Sequence, residues 1–254
     1  MCDPVRERRR RRACVLFLGP GLYGSGYREI RRMFRAHRHV RIEIGDDHGA
    51  IRPRHALVVS LGYRRIIPAE CLDIPAMGTV VFHSSDLPKG RGWAPLYHAL
   101  AERQRRHTVS LFYASPEIDG GPLIAKAHGP ISPTDTLTSL RRKDDFLVMA
   151  LLRRYLARLA RRRVHGRPQV GTPTFHRRRT PDDSRVDPTR PLRELFFALR
   201  ALDNDEYPGF FTVAGEQFFI RITPAAEPVR PIRYRIVDLS GRRAASRDRR
   251  AAGT

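Results

Sequence analysis

A histidine that leaves an apolar strand and enters a polar, glycine-punctuated turn is the arrangement in this chain best suited to chemistry. The stretch Phe82-His-Ser-Ser-Asp-Leu-Pro-Lys-Gly-Arg-Gly92 continues Gly78-Thr-Val-Val-Phe82, a short β-branched run that reads as a buried parallel strand. His83 is then the first polar group beyond the carboxyl end of that strand, the edge where open α/β sheets bind ligands. An imidazole with an ordinary pKa of about 6.5 can take and return a proton at neutral pH. Leu87-Pro88 turns the chain, Gly90 and Gly92 let backbone approach a ligand, and Lys89 and Arg91 add positive charge. Asp119-Gly-Gly121 offers a carboxylate, which beside an imidazole favours the charged ring. In isolation each has a plainer reading, a histidine satisfied by its turn and an Asp-Gly-Gly that is only a turn.

His83, Ser85, Leu87-Pro88, Arg91-Gly92 and Ala94-Pro95 together resemble the signature of the folate-dependent formyltransferases, His-x-Ser-Leu-Leu-Pro-x-x-Arg-Gly-x-x-Pro. Ser115 to Leu123 is similar to that family's loop in which an aspartate precedes a glycine-containing strand start, and Ser60 to Pro68 resembles its folate-side strand and turn. The ordered matches cover residues 56 to 125. The resemblance implies an α/β, Rossmann-like formyltransferase fold with a mainly parallel sheet, 10-formyltetrahydrofolate as co-substrate, and no metal. It also implies that His83 moves protons, that Asp119 holds and tunes it, and that Arg65, Ile66, Ile67, Pro116 and Asp119 border the folate. Lys89, Arg91 and Trp93 are assigned to the substrate side by charge and position alone. Two departures stand out. The family's oxyanion-steadying asparagine, two residues before the histidine, is replaced by Val81, which has no donor. Losing such a donor typically costs about 10²–10³ in turnover, so Ser84, Ser85, a backbone amide or a water must serve, or the reaction is slow. Asp86 stands where the family has leucine and is expected to bring negative charge close to the histidine.

Further along, His176 to Ser184 contains Arg-Thr-Pro-Asp-Asp-Ser, which resembles a segment of sugar N-formyltransferases, and Arg200-Ala followed by Tyr207-Pro-Gly209 and a hairpin looks like the family's C-terminal part. That part is brief, whereas tRNA-directed members carry a larger one. The expected reaction is therefore formyl transfer from 10-formyltetrahydrofolate to the amine of a dTDP- or UDP-linked amino-deoxysugar. The alternatives are a methionyl-tRNA formyltransferase-like enzyme acting on RNA, or a catalytically impaired folate or sugar-nucleotide binder in which Val81 marks the loss.

The elements that must position these residues follow from hydrophobic patterning. Strands are expected at 13–18, 40–44, 56–61, 78–82, 108–113 and 123–127, alternating with helices, one of them running from the first turn to about Arg38 and another over 93–105. Gly19 to Gly26 makes a tight strand-to-helix turn whose amides are free to face an anion or simply to close the turn. Residues 136–163 fit a long amphipathic helix, or two joined ones, covering one sheet face. Cys71 packs in a short helix after Pro68. The organisation expected is a basic disordered tail at 1–12, a catalytic domain at 13–165, a Pro- and Gly-rich linker at 166–191, a small helix and β-hairpin subdomain at 192–239, and a basic tail at 240–254.

Composition bounds the rest. The 254 residues, 41% of them hydrophobic, suffice for a full core. Three cysteines form no paired or Cys-x-x-Cys framework, and no apolar run approaches the roughly 20 residues needed to cross a bilayer, so a soluble, cytoplasmic, disulfide-free protein without membrane partners is expected. The formal charge of +22 rests on 48 basic residues, of which only Lys89, Lys126 and Lys143 are lysine. So strong a preference for arginine suits GC-rich coding bias and a diphosphate-bearing substrate, with nucleic acid ranked second as a partner. The oligomeric state is left open, a homodimer being one arrangement.

Overall fold

The computed structural model describes residues 12–35, 39–225 and 231–240; all but Arg12 and Ser240 of the two expected basic tails lie outside them. A seven-stranded sheet organises the chain. Its strands are β1 (Ala13–Leu18), β2 (Val40–Gly45), β3 (His55–Leu61), β4 (Thr79–His83), β6 (Arg106–Tyr113), β7 (Leu123–Pro130) and β11 (Arg235–Asp238), in the order β11-β7-β6-β4-β3-β1-β2. Two-residue strands β5 (Arg91–Gly92) and β8 (Phe175–His176) pair with each other, as do β9 (Gly209–Val213) and β10 (Glu216–Ile220) in a hairpin. The helices are α1 (Arg28–Arg35), α2 (Ala69–Leu72), α3 (Pro95–Ala101), α4 (Leu137–Leu159) and α5 (Leu192–Leu199).

The half β2-β1-β3-β4 is parallel throughout, and β6, β7 and β11 join it by antiparallel pairing. Five of the seven strands still run in one direction. Chain order reverses between β1 and β3, the crevice that open α/β sheets use for ligands. α4 packs on one face: Leu147, Leu151, Leu152, Tyr155, Leu156 and Leu159 recur at helical spacing and meet Val15, Phe17, Val80, Phe82, Val109 and Leu111. The helix starts at a capping box in which Thr136 and Ser139 bond each other's backbone amides. Inside this layer His107 of β6 and Asp144 of α4 form a buried contact of 2.7 Å.

The turn after β1 meets an anion, and it is internal. Asp145 of α4 accepts the amides of Tyr23 and Gly24 at 2.8 and 2.7 Å. The strand at 235–238, expected within the C-terminal subdomain, completes the main sheet beside β7 instead. What remains of that subdomain, α5 and the hairpin, packs its own cluster of Val186, Leu195, Leu199 and Leu202. Arg200 anchors it: the buried guanidinium donates to the carbonyls of Ser132, Pro133 and Asp135 just ahead of α4. The helix expected over 93–105 contracts to α3 at 95–101, while α1 is described to Arg35 and the rest of its expected span lies outside the described residues.

Burial raises the Asp145 carboxyl from its ordinary 3.8 to about 6 in spite of its two amide donors. An acid with a raised folded pKa holds its proton more tightly in the native state, so its contribution is fully present below about pH 3.8 and is lost as pH rises through about 6. The stability difference between wild type and Asp145→Asn, from urea unfolding, should therefore shift by on the order of 2–3 kcal/mol in favour of the variant between pH 4 and pH 6.5. Parallel pH curves would show that this carboxyl titrates normally.

Candidate active site

Side chains alternate along β4. Val80 and Phe82 enter the α4 core, so Val81 and His83 face the opposite side of the sheet. There the loop 84–92 folds back over the strand, fixed by fully buried Leu87, which packs with Val81, Phe112, Leu123 and Leu239. The Leu87–Pro88 peptide is cis. His83, the last residue of the strand, points Nε2 at the carbonyl oxygen of Gly90, 2.8 Å away, and at Asp119 Oδ2, 3.7 Å away. Asp119 Oδ2 also accepts the amide of Gly92 at 2.8 Å. The two side chains are only 10% and 17% exposed. With Nε2–H donated to Gly90 O, Nδ1 carries the ring's free lone pair, and the nearby carboxylate supplies a counter-charge for an imidazolium.

Two glycines are dictated by close approach. A Cβ on Gly92, whose φ is +94°, would lie 2.5 Å from the carbonyl oxygen of His176, and one on Gly121 would lie 1.7 Å from that of Tyr113. Asp119 itself adopts a φ of +50°, a left-handed conformation that asparagine and aspartate tolerate better than most residues.

The segment that reads as a linker is a strap over this loop. Arg167 pairs with Leu123 through both backbone groups, Thr174 Oγ1 accepts the Gly90 amide at 2.8 Å, and the carbonyls of Thr174 and His176 accept the amides of Arg91 and Trp93. Gln169 donates to the carbonyls of Asp119 and Gly121 at 2.6 and 2.9 Å and accepts from Arg91 Nη2 at 2.9 Å. Sequence reasoning missed Gln169 and Thr174 and gave Glu117 no role; the available signals were the matches over 115–123, which contain Glu117, and from His176 onward.

The expected site residues divide. Arg91, expected to face substrate, is buried, with its guanidinium on Glu117 and Gln169; it ties the Asp119 loop to the strap. Lys89 is exposed, and exposed Trp93 lies beneath the Arg178 guanidinium. Arg65 pairs with Asp47 at 2.7 Å in the loop after β3, Ile66 is 72% exposed, and Ile67 packs beside Leu18 and Cys71. Pro116 is exposed in the Asp119 loop. Asp86 does not carry free charge to His83: it binds Lys126 and Arg106, each at 2.6 Å. Although its burial acts the other way, the hydrogen bond and charge of Lys126 hold its carboxyl below the usual range. Val81 sits in the apolar cluster, while the hydroxyl of Ser85 is buried without a hydrogen-bond partner among the described residues.

Among the described residues, two side-chain groups have metal-ligand composition, Cys14–Glu43–His55 and His98–Glu102–His176. In the first, burial and then Glu43 push the Cys14 thiol up to about 11, and hydrogen bonds from His55 and Arg54 bring Glu43 down to about 2. It is a closed ion-pair network at the amino end of β1 and β3.

The strand, the histidine, the glycine loop and the aspartate that meets them all fall within residues 32–154, which match the family model described as formyl transferase. The chain thus carries a domain of the folate-dependent formyltransferase family. It is 30% identical over 148 residues to the methionyl-tRNA formyltransferase of Fusobacterium nucleatum, which covers 58% of this chain and 48% of the relative. The chain spans about half the length of the curated relatives it matches. Its fold is shared with a sugar N-formyltransferase from a Shewanella species (TM-score 0.70, 18% identity, 86% of this chain and 99% of that one). It is also shared with HypX from Aquifex aeolicus in complex with tetrahydrofolic acid (TM-score 0.66, 19% identity, 82% and 37%).

Replacing Gln169 by leucine, similar in size but without hydrogen-bonding groups, removes the partner of two carbonyls and one guanidinium nitrogen. A loss of about 1–3 kcal/mol in urea unfolding is expected; a change within a few tenths would mean the strap does not brace the Asp119 loop.

Proposed function

We propose that this protein transfers a formyl group from 10-formyltetrahydrofolate to the amine of a nucleotide-linked amino-deoxysugar, with dTDP or UDP as the carrier. The observation that carries the reaction is the meeting of His83, Asp119 and the Gly90–Gly92 backbone within a segment that matches formyl transferases. The amine nitrogen attacks the formyl carbon, His83 Nδ1 takes the proton the nitrogen sheds, and the bond from that carbon to the folate nitrogen breaks. The proton passes to the departing folate amine, and Asp119 balances the imidazolium between these steps. The oxyanion formed on the way needs a donor that Val81 does not offer. Ser85, whose buried hydroxyl has no partner among the described residues, is the donor we assign. Arg65, Ile66, Ile67 and Pro116 remain the folate-side residues of this reading, and Lys89 and Trp93 the substrate-side ones.

Two observations support the sugar nucleotide. The Arg-Thr-Pro-Asp-Asp-Ser segment, braced by the Arg177–Asp183 ion pair and the Arg179–Ser184 hydrogen bond, directly continues the strap that touches the catalytic loop. A sugar N-formyltransferase is also among the structures sharing the fold. A second reading, transfer to methionyl-tRNA, is favoured by the Fusobacterium relative and by the arginines 158, 161 and 162 clustered around the carboxyl end of α4. Under that reading the basic surface would hold RNA.

The test is an assay of the purified chain with 10-formyltetrahydrofolate against dTDP- and UDP-linked amino sugars and, in parallel, methionyl-tRNA. Formylated sugar is the expected product. His83→Asn should lower kcat by about 10²–10⁴ with folate affinity intact, and a variant as active as wild type would end the proposal. Ser85→Ala should cost about 10² in kcat, in line with removal of a single oxyanion donor; unchanged kcat would transfer that role to backbone or water.

A further inference from the structure

Beside the strap stands a group of side chains that formyl transfer does not use. His98 and Glu102 lie one turn apart, at the carboxyl end of α3 and its cap, and His176 faces them from β8. The two imidazole rings stack with centroids 3.7 Å apart and planes 10° from parallel. Glu102 Oε1 lies 3.1 Å from His176 Nε2 and 3.8 Å from His98 Nδ1, and one ligand atom from each of the three residues falls within 4.8 Å of the others. The remaining ring nitrogens, His98 Nε2 and His176 Nδ1, are buried without hydrogen-bond partners among the described residues. These are not the nitrogens that face Glu102, and an ion beside the carboxylate would leave them unpaired; what points to a ligand is the convergence of two imidazoles and a carboxylate at metal-ligand spacing.

We propose that His98, Glu102 and His176 bind a divalent cation of the zinc class. Ligands about 2.0–2.1 Å from a tetrahedral ion are separated by roughly 3.3 Å, a spacing that the two measured separations to Glu102 bracket. Two imidazole nitrogens and one carboxylate form a set that suits zinc, cobalt or nickel rather than calcium or magnesium, with the fourth position left to water. Because imidazole lone pairs lie in the ring planes, the stacked rings must turn apart by tens of degrees before both nitrogens face one ion. Glu102, 47% exposed, leaves an entry path. Nearby Arg177 and Arg179 carry like charge and limit affinity, the first paired with Asp183 and the second stacked on Tyr97.

Because the carbonyl of His176 receives the Trp93 amide and its backbone pairs with Gly92, the bound ion would tie α3 to the strap over the loop of His83. This sequence otherwise implies no metal. The other group of metal-ligand composition lacks these features: His55 Nδ1 already accepts the Arg52 amide, and Glu43 already binds His55, Arg54 and Arg41. The site stands independently of which acceptor is formylated, and independently of formyl transfer itself.

The experiment is titration of the tag-free, chelator-treated full chain with Co²⁺, followed by visible absorption and by displacement with Zn²⁺. One equivalent with the intense d–d bands of a tetrahedral site is expected. Since loss of an outer-shell partner alone costs about 10–100-fold in affinity, His98→Gln should weaken binding by more than about 100-fold and Glu102→Gln by at least about tenfold, whereas exposed His165→Ala should leave it unchanged. Glu102→Gln, on a half-exposed side chain, keeps the test open should the histidine variant not fold. Weak bands of octahedral intensity, or equal Co²⁺ affinity in wild type and Glu102→Gln, would overturn the proposal.

Discussion

The fixed orientation of two peptide groups, the carbonyl of Gly90 and the amide of Gly92, is the constraint from which the rest of this molecule follows. One meets the ring of His83 and the other the carboxylate of Asp119, so neither functional side chain is held by another side chain alone. Peptide groups hold such orientations only when the chain on both sides is fixed. Buried Leu87 does this before Gly90, and the pairing of β5 with β8 does it after. Since Gly92 lies against the carbonyl of His176, any side chain there would push the strap outward. The glycine therefore serves packing between two backbones as much as access for a ligand.

The arginine content takes on a different aspect once partners are known. Arg91 is enclosed between Glu117 and Gln169, Arg200 gathers three carbonyls, and Arg179 lies 3.8 Å from the Tyr97 ring centroid. A planar guanidinium with five donors can do each of these, and lysine can do none of them equally well. Part of the positive charge is thus structural, invested in joining loops to the sheet. The cluster at 158, 161 and 162, around the carboxyl end of α4, is different, because Arg161 and Arg162 are exposed. There the charge is available to a polyanion.

What was legible in the sequence follows a physical divide. β1, β3 and β4 are continuous apolar runs, and α4 carries both a helical period and a threonine cap, so local pattern suffices to find them. His83 and Asp119 were found through the motifs around them, at positions the turn chemistry marks. The strap could not be read, because proline and glycine announce an irregular backbone without saying what it pairs with. The same holds for β11, whose partner β7 lies about a hundred residues upstream. Asp86 and Arg91 misled for another reason: the charge of a residue is visible in sequence, but its counter-charge is not. Lys126, Arg106, Glu117 and Gln169 all approach from other segments.

Val81 follows from the same geometry. A polar group at this position would have to stand among Leu87, Phe112, Leu123 and Leu239, the residues that seat the loop after His83 on the sheet. An amide there must find a partner in an apolar cluster or weaken the seat. Valine keeps the cluster dry and lets the loop lie flat, and two residues beyond His83 the same loop carries a buried hydroxyl with no partner in the described structure. On the proposed reading, the group that serves the oxyanion lies outside the sheet core, in the segment whose backbone already positions His83.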